Sequence, residues 1–409
     1  MKNILIIDSA YTLKFIKDRK LENFIISRDN EKYFDHVWTT HPVDNIFEKI
    51  QKTNDYGKIT LHKINERHSY IRGKIGKFYF LRKINTINFI ISQINLILYL
   101  KKLIKKNNIK LIRSEDALYN GLLAYILAKI IYKKKLIICV FGNPDEIRKN
   151  NKKPLMPKLF KFIFIEKIIE KFILKKADMI IVQNEDNKNF VHSKNINKNK
   201  IKVFRIGRDI HPSHYLDPNL RNHKIISKDF EITNKKIVTF VSRLVKLKLP
   251  DHFIKVVDYL KNNDVQVSAF VVGEGELKED LINDCKRRDL INEINFVGAK
   301  DQEWLASLLA LTDIFVCPLK GRALVEAALG SCPVIAYDID WHSEIIENYK
   351  NGVIVDFMDI NKLSSESLKL IKNEKLSNEY GNNLRKKILK YSNKEELIKY
   401  ENLCYDELL

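Results

Sequence analysis

The 409-residue chain has no long apolar run, and this absence excludes a membrane-embedded class of protein. Its longest apolar candidate, residues 88–100, is interrupted by Ser92 and Gln93 and is shorter than the ~20 residues that a membrane-spanning helix needs. We therefore expect no transmembrane segment. We also expect no signal peptide, because Met1 is followed almost directly by the strand-like segment 4–7.

Cysteine is scarce, with five residues in no pair at the spacing of a metal-binding or redox motif. The five are Cys139, Cys285, Cys317, Cys332 and Cys404. Two of them, Cys139 and Cys317, lie in apolar strand-like runs, so we interpret them as buried thiols of a protein in the reducing cytoplasm. The histidines also lack metal-ligand spacing. We therefore expect no metal and no other cofactor.

Acidic residues are outnumbered by basic ones, 51 to 72, and the formal net charge is +21. Lys, Ile and Asn are abundant along the whole chain, which indicates a compositional bias rather than a basic binding site. No motif typical of an RNA- or DNA-binding module is present, so we expect no nucleic-acid partner. A basic surface is nevertheless attracted to anionic lipids, by about 1 kcal/mol per nearby cation.

What the sequence has in abundance is an alternation of short apolar runs with helical stretches. This alternation predicts an α/β protein with parallel sheets and crossover helices. In the first half the predicted strands are 4–7, 24–27, 58–62, 110–113, 136–140 and 179–183, and the predicted helices are 84–106, 118–132 and 158–175. In the second half the predicted strands are 237–241, 267–272, 295–297, 314–317, 334–337 and 353–355, and residues 362–409 are mostly helical.

A polar, turn-rich segment breaks this alternation once, and we therefore predict two doubly wound, Rossmann-like domains. The N-terminal domain covers 1–208, the linker 209–228 and the C-terminal domain 229–385. The final helix, 386–409, is expected to pack back on the N-terminal domain. Two such domains leave a central cleft that faces the carboxyl ends of both sheets, where open α/β sheets bind ligands.

Two cations follow the first strand of the predicted C-terminal domain. Arg243 and Lys248 lie in the loop after 237–241, and a planar guanidinium with a compact ammonium suits a diphosphate. The alternative is a solvated basic loop in a lysine-rich chain.

A glycine-led helix follows a later strand of the same domain. Gly321, Arg322 and Ala323 open this helix, and Glu326 comes about a turn later. Backbone N–H groups at such a helix start can approach a phosphate, and the carboxylate is well placed to bind the hydroxyls of a ribose. The alternative is an ordinary strand–helix–strand unit.

Two further strand ends carry glycine. Gly273 and Gly275 follow strand 267–272, and Val297 precedes Gly298. Glycine at 273 allows close approach to a ligand, and Val297 could present its backbone to a flat base, although both places could be simple turns. The third glycine of a dinucleotide fingerprint is absent, which disfavours a nicotinamide-dependent dehydrogenase.

In their order and spacing these motifs resemble the nucleotide-sugar half of a retaining glycosyltransferase with the GT-B fold. The resemblance is to the family-4 type, which makes cell-envelope polysaccharides and glycolipids. The matching segments are Ser242–Leu244 with Lys248, Val272–Gly275, Asn295–Gly298, Thr312–Val316, Leu324–Ala328 with Gly330 and Pro333, Glu344, and Asn351–Gly352.

The resemblance implies a role for each matched residue. Arg243 and Lys248 correspond to the pair that binds the donor diphosphate, and Glu326 to the glutamate that holds the ribose hydroxyls. The other donor-binding positions that the resemblance implies are Gly321, Arg322, Ala323, Val297 and Gly273.

The sequence departs from the family eight positions before Glu326. The family usually has another glutamate there, in contact with the donor sugar, and this chain has Pro318. The loop to Gly321 is also shorter, and Ser242 replaces the usual strand-end glycine. Recognition of the sugar must therefore be rearranged, and the resemblance does not identify the sugar.

Three polar residues follow predicted strands of the N-terminal domain. Glu115, Asp116 and Asn143 would face the cleft there, as acceptor-side or catalytic residues. An interpretation as polar caps and turns is equally open. Near the other domain's strand 334–337, Asp340 is either a helix N-cap or, with His342, part of the donor-sugar pocket.

Lysines alternate with Phe and Ile in residues 158–176, a pattern typical of a basic amphipathic helix that rests on a membrane. The alternative is a domain helix with an apolar core face. Residues 72–83 form a second candidate for contact with a lipid-linked acceptor. Peripheral contact with an anionic membrane is therefore kept as a hypothesis.

These observations lead to one favoured function. It is a cytoplasmic, hexosyltransferase-type glycosyltransferase, at the inner face of the membrane if the membrane hypothesis holds. It moves a sugar from a nucleoside-diphosphate donor to a cell-envelope glycan or lipid-linked acceptor with retention of configuration. No metal is expected, because Arg243 and Lys248 supply the positive charge.

Two other classes stay open. One is a sugar-nucleotide epimerase or a phosphorylase of the same fold. The other is a basic membrane- or nucleic-acid-binding protein with a degenerate active site. Release of nucleoside diphosphate only when an acceptor is supplied separates transfer from these alternatives.

Overall fold

The computed structural model describes residues 1–18, 21–48, 51, 55–207, 210–228, 230, 235–319, 321–339 and 341–409. These residues form two compact units, one made of Met1–Arg205 with Lys394–Leu409 and the other of Ile206–Asn393. Each unit contains one mainly parallel sheet flanked by helices, so the predicted α/β class is confirmed. Asp340 lies outside the described residues.

The first unit is built on an eight-stranded sheet. Its strands are β1 (Asn3–Ile7), β2 (His36–His41), β3 (Thr60–Lys63), β4 (His68–Arg72), β5 (Leu111–Ser114), β6 (Lys135–Val140), β7 (Met179–Val182) and β8 (Ile201–Val203). Its helices are α1 (Leu13–Asp18), α2 (Glu22–Ile26), α3 (Asn85–Lys106), α4 (Tyr119–Tyr125), α5 (Pro144–Asn151), α6 (Ile163–Lys176), α7 (Glu185–Ser193) and, from the end of the chain, α16 (Lys394–Asp406).

The strand order of this sheet is β3-β4-β2-β1-β5-β6-β7-β8, and only the β3–β4 pair is antiparallel among the described strands. Strand β1 reads Asn-Ile-Leu-Ile-Ile and is buried along its length, as expected for a central parallel strand covered on both faces. The chain reverses direction across the sheet between β1 and β5. Ligands of open α/β sheets bind at such a switch point, outside the carboxyl ends of the strands.

Helix α16 completes the core of the first unit. Tyr405 is fully buried, with its ring centroid 5.0 Å from that of Phe34 and 5.7 Å from that of Phe204. Its hydroxyl accepts a hydrogen bond of 3.0 Å from the buried guanidinium of Arg113, at β5. The last helix is therefore part of the first unit's fold.

The second unit contains a six-stranded sheet. Its strands are β9 (Lys236–Val241), β10 (Val267–Val272), β11 (Ile294–Gly298), β12 (Ile314–Cys317), β13 (Val334–Tyr337) and β14 (Val353–Val355). Its helices are α8 (Lys224–Ser227), α9 (Pro250–Lys261), α10 (Lys278–Arg287), α11 (Gln302–Leu311), α12 (Arg322–Leu329), α13 (His342–Ile345), α14 (Ile360–Lys372) and α15 (Glu374–Tyr391).

The order β11-β10-β9-β12-β13-β14 is that of a doubly wound Rossmann-type sheet, with its switch point between β9 and β12. All of its strand pairs are parallel. Helix α9 shows why the elements form as they do. Pro250 occupies its first turn, where proline is favoured, and Phe253, Val256 and Val257 pack into the core behind β9.

Several predicted elements differ from those observed. Residues 24–27, predicted as a strand, lie mostly in helix α2, and strands β2, β4 and β8 were not predicted. The predicted helix 158–175 begins only at Ile163. A short apolar run such as Phe24–Ile26 fits a helix or a strand equally well, and tertiary packing decides between them.

The polar segment before β9 carries a buried arginine. Arg221 lies in the second unit, and its guanidinium donates hydrogen bonds to four carbonyl oxygens, at 2.7 Å to His214, 3.2 Å to Leu216, 2.8 Å to Ala306 and 2.7 Å to Leu329. Leu329 ends helix α12, so one side chain satisfies backbone acceptors that a helix end leaves unpaired. Burial lowers the pKa of Arg221 to about 10.

Candidate functional site

A small cavity lies at the switch point of the second sheet. It is bordered by the end of β9 (Phe240–Ser242), by the end of β12 with the residues that follow (Phe315–Leu319), and by Lys248, Gly321 and Ala323. This is the edge at which doubly wound sheets bind nucleotides. The structure therefore brings together two of the motifs that the sequence singled out, the basic loop after β9 and the glycine-led helix after β12.

The two predicted diphosphate-binding cations differ in their surroundings. Arg243 follows the cavity residue Ser242 and is exposed, and within the described part of the chain its guanidinium has no hydrogen bond or ion pair. Lys248 is half-buried at the end of a 3₁₀ turn, Lys246–Lys248, and lines the cavity. Its positive charge acts on the buried thiol of Cys317. Two positively charged side chains therefore lie at this edge of the sheet.

The loops that follow β9, β10 and β11 are joined by backbone hydrogen bonds. The Leu244 amide donates to the Glu274 carbonyl at 3.0 Å, and the Gly273 amide donates to the Gly298 carbonyl at 2.9 Å. A Cβ at Gly273, which has φ of +144°, would overlap the carbonyl oxygen of Ser242. Glycine at this position is explained by loop packing, and Val297 lies half-buried in the adjoining strand β11.

Helix α12 begins at Arg322, with Gly321 at its N-cap. Ala323 and Leu324 of its first turn line the cavity, and the Leu324 amide donates to the Gly321 carbonyl at 3.3 Å. A Cβ built at Gly321 would meet no atom nearer than 3.9 Å, so packing within the protein does not require glycine there. The observation leaves room for the close approach of a ligand.

The predicted ribose-binding carboxylate is buried in this helix. Glu326 is 3% exposed, and its Oε1 lies 2.8 Å from Nε of Arg322, four residues earlier. The two residues that the sequence assigned to separate donor contacts therefore form an ion pair with each other. A ribose hydroxyl would have to share or replace this contact.

A buried pair at the cavity floor was not predicted from the sequence. Cys317 Sγ lies 3.9 Å from Nε2 of His342, whose Nδ1 is 2.8 Å from the carbonyl oxygen of Tyr337. Nδ1 must carry a proton to donate to that carbonyl, and the Cys317 thiol donates to the carbonyl oxygen of Leu319 at 3.5 Å. Burial raises the pKa of Cys317 to about 12, so it stays a neutral thiol. The apolar run before Cys317 signalled its burial but not its neighbour.

The three candidates of the first unit all have local partners. Glu115 is paired with Arg113, at 2.8 Å from Oε1 to Nε. Asn143 caps helix α5, with its side-chain oxygen accepting from the Glu146 amide at 3.3 Å. Asp116 accepts from the Leu118 amide at 2.8 Å and from the side chain of Asn120. These contacts are those of caps and turns.

Asp116 and Asn120 also lie at the switch point of the first sheet. The hydroxyl of Ser9, which follows β1, lies 2.7 Å from Oδ1 of Asn120. Burial raises the pKa of Asp116 to about 6, despite hydrogen bonds that favour its charged form. A carboxyl group with this pKa exchanges protons near neutral pH, although its oxygens already accept hydrogen bonds from Leu118 and Asn120 in the turn.

Comparison with known proteins identifies the second unit. The family described as glycosyl transferases group 1 matches residues 222–387, which lie within this unit. The second unit is a group 1 glycosyltransferase domain. The family resemblance predicted from the sequence is thereby confirmed for this unit.

Two curated relatives of this glycosyltransferase domain illustrate the range of similarity. The chain is 29% identical to a poly(ribitol-phosphate) alpha-N-acetylglucosaminyltransferase of Staphylococcus aureus. The alignment spans 184 residues, 44% of the chain and 37% of that protein. It is 24% identical over 409 residues to an N,N'-diacetylbacillosaminyl-diphospho-undecaprenol alpha-1,3-N-acetylgalactosaminyltransferase of Campylobacter jejuni, covering 97% of the chain and 94% of the relative. The chain thus spans little more than a third of the staphylococcal protein.

A solved structure supports the fold of the whole chain. HepE of Anabaena, crystallised with UDP and glucose, superposes with a TM-score of 0.71 at 16% identity, covering 100% of both chains. At this identity the likeness shows the fold alone. With the group 1 domain, it confirms the predicted GT-B class of two Rossmann-like domains.

Proposed function

We propose that the protein transfers a hexosyl group from a nucleoside-diphosphate donor to an acceptor of the cell envelope, in the cytoplasm and with retention of configuration. The observation that carries this proposal is the arrangement at the β9–β12 switch point. There Lys248 and the first turn of helix α12 border one cavity, and the exposed Arg243 follows directly on a residue that lines it. Cations and the start of a helix at one sheet edge suit a diphosphate.

The comparisons support a nucleotide-sugar donor and a glycan or lipid-linked acceptor as classes. HepE binds UDP and glucose in its crystal structure, which favours a uridine nucleotide as the first donor to test. The Campylobacter relative is named for a diphospho-undecaprenol acceptor, and the staphylococcal relative for a poly(ribitol-phosphate) acceptor. These two names support an acceptor that is lipid-linked or polymeric.

The chemistry that we propose needs few protein groups. The bond between the anomeric carbon and the diphosphate oxygen breaks, and a bond from the anomeric carbon to the acceptor oxygen forms on the same face of the sugar. The acceptor's proton goes to the departing phosphate oxygen. Arg243 and Lys248 stabilise the negative charge that develops on the leaving diphosphate.

Binding of UDP tests this site directly. A ligand at 100 times its dissociation constant stabilises the native state by about 2.7 kcal/mol, which raises the Tm of a unit of this size by about 5–10 °C. We expect this shift with UDP, and we expect R243A and K248A each to weaken UDP binding by at least about tenfold, since each removes a charge-assisted contact. Calorimetric titration measures the loss.

The matched control is K246A, in the same 3₁₀ turn as Lys248 but exposed. It should bind UDP as the unsubstituted protein does. Equal losses in K246A and K248A would indicate a general effect of charge and would contradict the site. No response to UDP or to any other nucleoside diphosphate would contradict the proposed donor class.

No metal takes part in the proposed reaction, because the two cations balance the diphosphate charge. Transfer should therefore be unchanged when EDTA is added and magnesium is omitted. Release of nucleoside diphosphate should require an acceptor, which separates transfer from epimerisation. A strict requirement for a divalent cation would overturn this part of the proposal.

A further inference from the structure

Helix α6 of the first unit turns two carboxylates inward and three large apolar side chains outward, although Ile173 and Leu174 near its end are buried in the core. Its inward face carries two carboxylates, Glu166 and Glu170, which are 0% and 1% exposed. Its outward face carries Phe164, Ile168 and Phe172, which are 60%, 64% and 40% exposed. A surface helix of a globular protein normally shows the opposite arrangement, with the apolar stripe turned towards the core.

The inward carboxylates are fixed by a buried arginine. Arg148 of helix α5 donates from Nε to Glu166 at 3.1 Å and from Nη2 to Glu170 at 2.8 Å. The amides of Leu155 and Met156 also donate to Glu166, at 3.0 and 2.8 Å. The hydrogen bonds of these two buried carboxylates fix the rotation of α6 about its own axis. The outward position of its aromatic residues is therefore set by the fold.

Helix α3 repeats the pattern in its first half. Asn88, Ser92 and Gln93 point inward and are buried, and Asn88 accepts hydrogen bonds from the amides of Lys77 and Phe78 at 2.7 and 2.9 Å. Gln93 donates to the Lys74 carbonyl at 3.1 Å. These contacts fix the helix against the loop that precedes it.

The residues that α3 turns outward are apolar. Ile90, Ile94 and Leu98 are spaced four residues apart on one side, and each is 50–53% exposed. In α6 the spacing of Phe164, Ile168 and Phe172 is the same. We call these six residues the apolar face of the first unit.

Helices α3 and α6 each contact helix α4. The ring of Phe89 in α3 is 5.9 Å from that of Tyr119 in α4, and the ring of Tyr125 in α4 is 5.1 Å from that of Phe172 in α6. Ile130, in the π-helical turn that continues α4, is 65% exposed. Exposed apolar residues on three neighbouring elements form a patch of the kind that marks an interaction surface.

Charge identifies what this patch would bind. Lys167, Lys171 and Lys175 share the outward side of α6 with the aromatic residues, and all three are exposed. The last two turns of α3 add the exposed lysines 101, 102, 105 and 106. Apolar side chains interleaved with lysine suit the boundary between the headgroups and acyl chains of an anionic bilayer.

We propose that the apolar face of the first unit docks the protein on the surface of an anionic lipid bilayer, with α3 and α6 lying in the plane of the interface. This inference goes beyond the proposed transfer reaction and does not depend on it. The exposed phenylalanines and isoleucines would enter the bilayer boundary, and the lysines would pair with acidic headgroups.

Helix α3 is the one helix of the described residues that is long and apolar enough to cross a membrane. One such helix is weak evidence for a membrane-spanning segment, since helices of a soluble core meet the same criteria. A third of its apolar window is buried in the unit. Leu96, Leu100 and Ile104 belong to the core beside the sheet, and Asn88 holds its preceding loop. The helix is therefore bound to the unit along its inner side, and it lies on the membrane rather than across it.

Sedimentation with vesicles tests the proposal, with no nucleotide or acceptor present. We expect the full chain to bind vesicles of phosphatidylglycerol and phosphatidylcholine and to bind pure phosphatidylcholine at least tenfold more weakly. The double variant F164Q/I168Q should reduce binding to the anionic vesicles by at least tenfold, because it removes two exposed apolar side chains. K171Q/K175Q should weaken it by about fivefold per lysine, with a flatter dependence on salt.

The matched control is L216Q/L220Q, in which two exposed leucines of the second unit, 52% and 78% exposed, are changed in the same way. It should bind vesicles like the unsubstituted protein. Circular dichroism and thermal melting should be unchanged in all three variants, since the changed side chains are exposed. A failure of UDP binding would leave this result unaffected, so the two proposals fail separately.

Two outcomes overturn the proposal. One is vesicle binding that F164Q/I168Q and L216Q/L220Q reduce equally. The other is no vesicle binding together with dimers that dissociate in F164Q/I168Q, which would assign the apolar face to a second copy of the chain.

Discussion

His214 shows how one buried side chain makes stability depend on pH. It is fully buried in the second unit, and its Nε2 lies 3.0 Å from Oε1 of Gln302. Burial lowers the pKa of His214 to about 4, because the charged ring would lose its hydration. The neutral form is thus the one that fits the fold.

We predict that the second unit loses stability as the pH falls. An unfolded histidine has a pKa near ~6.5, so below this pH the unfolded chain takes up a proton that the native unit accepts only near pH 4. The contribution of His214 is complete above pH 6.5 and is lost towards pH 4, by about 3 kcal/mol. H214Q should flatten this part of the profile.

Hydrogen exchange measured by mass spectrometry on peptides of the second unit, at pH 7 and pH 5, measures the effect after correction for the intrinsic rate. The control is H192Q, in the first unit. An equal fall in stability for H214Q and the unsubstituted chain would contradict the assignment.

The positions of single residues could be predicted from the sequence better than their side-chain contacts could. Arg243, Lys248 and Gly321 were placed at strand ends by local pattern alone, and they lie there. The pairing of Glu326 with Arg322 was not predicted, nor was the burial of Glu166 and Glu170 against Arg148. The last pairing joins two separate helices, and hydropathy along one helix carries no information about a partner on another.

At the level of strands and loops, the glycines that follow β10 and β12 differ in what packing requires of them. Gly273 has φ of +144° and packs on the carbonyl of Ser242, whereas Gly321 has φ of 179°, which any residue adopts, and among the described residues a Cβ there would meet no atom nearer than 3.9 Å. Glycine is needed by the fold at 273. Packing among the described residues does not require it at 321.

We predict opposite results for alanine at these positions. G273A should destabilise the second unit by at least about 2 kcal/mol, through overlap with the Ser242 carbonyl and an unfavourable φ. G321A should cost no more than about 1 kcal/mol but should weaken UDP binding at least tenfold, because its methyl group would stand over the amides of α12. Thermal melting and titration with UDP separate the two effects.

Predictions of strands succeeded for most continuous apolar runs, with residues 24–27 as an exception, and failed where strands were polar. Strands β6, β10 and β12 match the predicted ranges closely. Strand β2 reads His-Val-Trp-Thr-Thr-His and was missed, although Thr39 and Thr40 are buried within the sheet. Thr39 is satisfied there by Arg28, at 3.2 Å from its Oγ1, a contact that local sequence does not reveal.

In the molecule as a whole, the first unit is made of two separate parts of the chain. Residues 1–205 supply the sheet, and α16 supplies Tyr405, which packs against Phe34 and Phe204 and binds Arg113. All of these partners belong to the first unit. The second unit is therefore inserted between the two parts.

We predict that Y405A destabilises the first unit by about 3–5 kcal/mol, since it removes a buried aromatic ring and leaves Arg113 without this acceptor. The exposed neighbour Leu403, 57% exposed on the same helix, provides the control L403A, which should change stability by less than about 0.5 kcal/mol. Hydrogen exchange resolved by unit measures both. Equal protection of the first unit in Y405A and L403A would contradict a structural role for α16.

This insertion determines the order in which a nascent chain can fold. The second unit, residues 206–393, is synthesised before α16. Until α16 is available to pack, Phe34 and Phe204 lack their cover, and the amino-terminal part of the first unit has an incomplete core. Chaperones that bind exposed aromatic residues would therefore bind the first part of this chain until α16 has been made and has docked.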